Sequence, residues 1–246
     1  MALALRLPRR VYRKLPRRLP LALQHPLYML RFDGVNDYVE IPHSDSLNLN
    51  VLTVMCWFRS VYAGVWFRTI VAKYGYTYIS NFWGLGWVAA NVIGFVIRDA
   101  TGVVNIARAG AGEGLDGRWH FLAGVASDTR LQFWMDGVLK QEVDRTAGDI
   151  RNTRPVTVGR HLDTYVPEDV SVIHIYNRAL SRSEIEYNMY NPLNPVREGL
   201  VLFLPLIEGS GTIVKDYSGF GNNGTVYGGA GWAELAEYEL LAEAGL

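Results

Sequence analysis

From Tyr28 onward the chain is written in short runs with a period of two, and that pattern excludes most folds. Runs such as "YMLRFD" and "DYVEI" alternate apolar and polar residues, as strands with one buried face do. "LTVMCWFRS" (52–60) is apolar on both faces and reads as a central strand. "TIVAKY", "YTYISNF", "WGLGWVA", "VIGFVIRD" and "VVNIARAG" follow at short spacing, then "RWHFLAGVAS", "RLQFWMDG" and "VLKQEVD". Within "MDGVL" the Asp136-Gly137 pair marks a tight hairpin. "PVTVGR" and "VSVIHIYN" continue the series. One helix interrupts it: Ser181 or Ser183 can cap "RSEIEYNMY", Glu184 and Glu186 occupy a first turn that favours negative charge, and "NPLNP" ends it. "GLVLFLPL" (199–206) is a further strand, and "AELAEYELLAEA" at the end is acidic and helix-prone. About a dozen strands without βαβ alternation predict an all-β protein, a two-sheet antiparallel sandwich with one short helix, and disfavour a nucleotide-binding α/β fold.

The composition fits that architecture. Hydrophobic residues make up 49% of the 246, enough for a sizeable core, and 25 glycines supply turns. Cys56 stands alone inside "VLTVMCWF", so no intramolecular disulfide frames the fold, and a buried structural thiol is expected. Five histidines are scattered singly, without metal-binding spacing. No stretch of 18 apolar residues occurs, so no membrane span is expected. The basic N-terminus lacks a continuous apolar segment and is broken by prolines 8, 16, 20 and 26, which argues against a secretory signal.

Lysine plus arginine balance aspartate plus glutamate at 24 each, but the charge is unevenly placed. Residues 1–27 hold Arg6, Arg9, Arg10, Arg13, Lys14, Arg17 and Arg18 and no acid, so an arm of +7 faces a remainder of −7. "LPRR" occurs twice, and its prolines favour an extended arm over a helix. Three readings stand side by side: a solvated tail or upstream extension; docking of Arg9, Arg10, Arg13, Lys14, Arg17 and Arg18 on an acidic partner, including a neighbouring copy; or contact with nucleic acid phosphates through the arm alone.

"LRFDGVNDYVEIPHSDSLNL", "LTVMCWF", "GRWHFLAGVASDTRLQFWMDGVL", "TVGR" and "IHIYNRALSRSEI" together resemble a laminin-G-like, concanavalin A-like jelly-roll domain, over roughly 28–232. The resemblance implies a two-sheet antiparallel jelly-roll sandwich preceded by a basic arm (1–27) and followed by an acidic helical tail (233–246). It also implies a change of order. Text like "GLVLFLPLIEGSGTIVKDYSGFGNNGT" (199–225) usually opens such a domain, whereas here it follows the helix, so 199–232 looks circularly permuted. Closure within one chain is the favoured explanation; completion of a neighbour's sandwich and a truncated second repeat are the others.

The resemblance also frames the chemistry. Glycosidases on this sandwich carry paired carboxylates, commonly ExDxxE, and none occurs here. No GxSxG, P-loop or strand-linked GxGxxG occurs either, and no enzymatic activity is expected. The turns "DGVND" (33–37) and "DYSGFGNN" (216–223) are rich in the oxygens that calcium takes. The resemblance implies that they lie together, making Asp33, Asn36, Asp37, Asp216 and Asn222 the candidate ligands of a Ca2+ ion; alternatively these residues only build turns. Ser171 and Val172 stand where the family often has an acidic pair. Trp66, Tyr74, Tyr76, Trp83 and Trp87, with Tyr78 beside them, could form a sugar-stacking platform or belong to the core. "NGT" (223–225) is a glycosylation sequon but reads as a turn.

The expectation is a non-catalytic binding or assembly module: first, a structural or surface protein of a virion or surface layer, with other protein subunits as partners; second, a calcium-dependent carbohydrate-binding module acting in adhesion; distantly, a glycoside hydrolase or lyase.

Overall fold

Within the described residues the alternating runs have become strands with one face turned inward; "YTYISNF" lies largely outside them. The computed structural model describes residues 27–62, 68–74, 81–235 and 239–240. Its strands are β1 (Leu27–Asp33), β2 (Tyr38–Ile41), β3 (Leu52–Arg59), β4 (Arg68–Lys73), β5 (Phe82–Ala89), β6 (Val92–Arg98), β7 (Val104–Arg108), β8 (His120–Ala126), β9 (Arg130–Met135) and β10 (Val138–Asp144). Then come β11 (Val156–Val158), β12 (Arg160–His161), β13 (Thr164–Tyr165), β14 (Pro167–Tyr176), helix α1 (Arg182–Tyr190), β15 (Leu200–Leu204), β16 (Ile213–Val214), β17 (Gly224–Tyr227) and β18 (Gly231–Leu235). The first sheet runs β10-β9-β8-β3-β14-β1-β18, with β15 also on β14; the second runs β16-β17-β2-β11-β4-β5-β6-β7; β12 and β13 form a small hairpin. All pairings are antiparallel.

The inner faces of the two sheets make one core. Phe32, Cys56 and Phe58 of the first sheet meet Trp83, Trp87 and Phe95 of the second. On β8 the strand carries Gly124, where a Cβ would lie 2.4 Å from Cγ of Phe95. The missing side chain lets a ring from the opposite sheet seat against the backbone. Helix α1 covers the outer face of the first sheet, burying Ile185 and Met189 with Met55, Trp57, Trp134 and Phe203. Ser181 is its N-cap, and Glu184 accepts from both the Ser181 N–H (2.8 Å) and Oγ (2.7 Å). Among the described residues no helix is long and apolar enough to cross a membrane.

Strand β14 determines how the chain closes. One edge pairs with β3. The other serves two strands in succession: Pro167–Val170 pair with β1, and Ile173–Tyr176 pair with β15. The change falls at a bulge, where the β3 register slips between Ser171 and Ile173 and Val172 takes φ +38°. That region is strained for a β-branched residue, so the bulge is held by its surroundings. Ser171 Oγ donates to the Tyr28 carbonyl at 2.9 Å, and the Tyr28 N–H donates to the Leu206 carbonyl at 3.1 Å.

The late segment closes the sandwich of its own chain. β15 joins the first sheet through β14, β17 joins the second through β2, and β18 returns to the first through β1. The pair Leu27–Leu235 ends the β1–β18 ladder, so the first described residue and the end of β18 adjoin. One boundary needs correction. The helical tail was expected from 233, but β18 runs to Leu235, which is buried together with Leu27. Helix propensity in "AEL" yields to the hydrogen bonds offered by the edge of β1.

Candidate ligand-binding site

The two oxygen-rich turns expected to share a cation are each folded around their own backbone. In the first, Asp33 Oδ1 accepts the Val35 N–H (2.7 Å) and the Asn36 N–H (3.4 Å), while the Asp33 N–H donates to Asp37 Oδ2 (3.1 Å). Asp37 is buried, and burial holds its pKa above the ordinary value. In the second, Asp216 Oδ1 accepts the Phe203 and Ser218 N–H groups, and Oδ2 accepts Ser218 Oγ and the Asn222 N–H. Asn222 then ties the turn to the body: Oδ1 accepts Ser44 Oγ, and Nδ2 donates to Ser46 Oγ and the Val201 carbonyl. The structure thus places Asp33, Asn36 and Asp37 in one turn and Asp216 with Asn222 in another. Among the described residues no group of three or more His, Cys, Asp or Glu side chains is arranged to hold a metal ion.

The expected aromatic platform divides differently. Trp83 and Trp87 point into the core and are buried, so neither offers a face to a ligand. The period of two explains this: Gly84 and Gly86 take the outward positions of β5, and the tryptophans take the inward ones. Tyr74 is half-buried, with Phe82 and His161 each 4.2 Å away by ring centroid. Trp66, Tyr76 and Tyr78 lie outside the described residues, as do the docking residues Arg9, Arg10, Arg13, Lys14, Arg17 and Arg18. Cys56 is a free buried thiol whose pKa is pushed well up by burial, in keeping with a structural role.

A different aromatic group stands open on the second sheet. Val39 and Ile41 of β2 face the core, which turns Tyr38 and Glu40 outward. Pairing with β17 sets Tyr227 opposite Tyr38 and Thr225 opposite Glu40. The Tyr38 and Tyr227 rings stack at 4.8 Å with 12° between planes. Tyr165 of the β12–β13 hairpin leans on Tyr38 at 6.1 Å. Arg160 lies with its guanidinium carbon 4.4 Å from the centre of the Tyr38 ring and 3.9 Å, Nη1 to Oε2, from Glu40. Tyr227, 42% exposed, presents the open end of this ledge. Burial raises the pKa of Tyr38, keeping it a neutral phenol. An aromatic plate rimmed by a carboxylate, a guanidinium and hydroxyls suits a ligand with an apolar face and a polar rim.

Sequence reasoning missed this ledge although its residues sit in motifs it singled out. Tyr38 and Glu40 belong to "DYVEI", and Tyr227 follows "NNGT". Their two-residue spacing marks an outward face; what it cannot supply is the β2–β17 partnership across almost the whole chain.

A family model described as the concanavalin A-like lectin/glucanases superfamily, laminin G type, matches residues 33–186. Among curated protein sequences none matches the chain. Solved structures with a similar fold include a Bacteroides ovatus protein described as a candidate carbohydrate binding protein, with a TM-score of 0.63 and 15% identity over 86% of this chain and 62% of that one. They also include domains LG4-5 of the mouse laminin alpha1 chain (TM-score 0.50, 15% identity, 65% of this chain and 45% of that one). The receptor binding domain of botulinum neurotoxin D is a third (TM-score 0.52, 14% identity, 67% and 43%). The chain spans about 62% of the length of the first of these structures. At such identities the likeness concerns the fold.

Proposed function

This chain belongs to the concanavalin A-like lectin/glucanases superfamily, and from that premise we propose that it is a non-catalytic module that binds glycan on the Tyr38–Tyr227 ledge. The carrying observation is the stacked tyrosine pair, Tyr38 half-buried and Tyr227 exposed, with Glu40 and Arg160 at its rim. A pyranose ring presents C–H groups on one face and hydroxyls around its edge, and the ledge offers a partner for each. A glycan array read with and without chelator gives the ligand and tests the part of calcium. Tyr227→Ala should then weaken the best ligand about tenfold or more, ~1.4 kcal/mol, while the melting temperature stays close to wild type because Tyr227 is exposed. No glycan bound in either condition, or full affinity in Tyr227→Ala, removes this function from the ledge.

Display on a particle or surface layer is the second reading, supported by one observation. Residues 1–27 carry +7 and the sequence ends in an acidic stretch, and Leu27 and Leu235, where these segments meet the first sheet, are paired. Light scattering after size exclusion tests it: self-association that weakens with salt supports docking of the arm on another copy, and a strict monomer at all salt concentrations opposes it.

A further inference from the structure

We propose that the contact between Lys73 and His43 is an acid-sensitive latch: it closes the seam between the early and late segments of the chain while His43 is neutral, and opens it when His43 takes a proton.

Lys73 ends β4 opposite Trp83, so it shares the inward face of the second sheet, and it is 1% exposed. A lysine buried so deeply is normally paired with a carboxylate. Among the described residues Lys73 makes no ion pair. Its Nζ donates instead to the Arg154 carbonyl (2.5 Å) and to Nδ1 of His43 (3.0 Å). His43 lies two residues beyond Ile41, the last inward residue of β2. An ammonium has donors only, so Nδ1 must accept, and the imidazole must be neutral for this bond to exist. A proton on Nδ1 turns the acceptor into a donor and sets two cations 3.0 Å apart.

The neighbouring charges do little to offset that repulsion. Asp45, in the short 3-10 turn Asp45–Leu47, is exposed and favours a charged imidazole. In the loop before β11, Asp149 is held by Arg151 at 2.8 Å, and Arg154 adds positive charge. Glu40 of β2 and Tyr227 of β17 face outward to the ledge, and β5 and β11 carry no titratable side chain. Burial and Lys73 hold the His43 pKa below its ordinary 6.5, and burial brings Lys73 down to about 8. Because the closed value of His43 is the lower one, the latch contributes fully above about pH 6.5 and is lost as pH falls below it.

The residues just after His43 are those that tie down the late turn. Ser44 Oγ donates to Asn222 Oδ1 (2.7 Å), and Ser46 Oγ accepts from Asn222 Nδ2 (2.9 Å). Within this stretch the Leu47 and Asn48 amides donate to the Ser44 and Asp45 carbonyls, both at 3.1 Å. Opening the latch therefore loosens the join between 43–48 and the turn that leads into β17. The latch does not depend on what the tyrosine ledge binds.

The test is NMR of the full chain at constant ionic strength, following the His43 ring and amide exchange from about pH 7.5 to about pH 5. His43 should titrate below 6.5, and protection at Leu47 and Asn48 should fall about tenfold across that titration while protection in β9 stays constant. His43→Gln keeps a neutral acceptor and should hold the protection of both amides in acid. Lys73→Met removes the neighbouring cation and should bring the His43 pKa up toward 6.5. If Lys73→Met does not fold, wild type against His43→Gln decides alone. A His43 pKa at or above 6.5 in the wild type, the same acid loss of protection in His43→Gln, or a His43 pKa unmoved by Lys73→Met overturns the proposal.

Discussion

Asp99 is buried at the turn between β6 and β7 and accepts from the Thr101 N–H (2.9 Å), Thr101 Oγ1 (2.7 Å), the Val103 N–H (3.0 Å) and the Gly148 N–H (2.6 Å). Burial alone would raise its pKa, but these donors outweigh it and hold the carboxyl at about 2, below its ordinary 3.8. Because the folded value is the lower one, the contribution to stability is present above about pH 4 and is lost as pH falls through about 2. Asp99→Asn should therefore be less stable than wild type at neutral pH, with the gap narrowing in acid. Urea unfolding of both proteins across that range checks it, and a gap independent of pH would contradict it. Roles at this scale were only partly legible. Cys56 was expected to be a buried thiol and is one. Trp83 and Trp87 sit in a segment so rich in aromatics that its outward and inward positions could not be told apart until pairing with β4 and β6 fixed the face of β5.

At the scale of elements, local signals were read well and long-range ones were not. The Asp136-Gly137 hairpin and the Ser181-capped helix depend on neighbours in sequence, and both form as expected: the turn residues take φ +51° and +74°. The bulge in β14 has no local signature. It exists because β1 and β15 must follow one another along a single edge, and Ser171 stands where they meet. Ser171→Ala removes the hydroxyl that satisfies the Tyr28 carbonyl and should cost about 1 kcal/mol. Hydrogen exchange at the Tyr28 amide, which donates to Leu206, should quicken more than at amides in β8 or β9. Equal protection of that amide in both proteins would show that the hydroxyl does not hold the seam. The extension of β18 through Leu235 was hidden for a similar reason, since "AEL" gives no hint of the edge waiting for it.

For the molecule as a whole, the early and late motifs are halves of one structure. β2 carries Tyr38 and Glu40, β17 brings Tyr227 and Thr225, and the ledge exists only where they pair. The two-sheet sandwich was legible from alternation and motif text, because a buried core imposes its period on every strand. The site was not, because it is assembled from strands far apart in the sequence. Most direct as a test is an isotope-filtered NOE experiment on a dilute 1:1 mixture of labelled and unlabelled full-length chains. Closure within one chain predicts contacts between the Tyr38 and Tyr227 rings inside labelled molecules only. The absence of that contact, or its appearance only between labelled and unlabelled chains, would contradict the account.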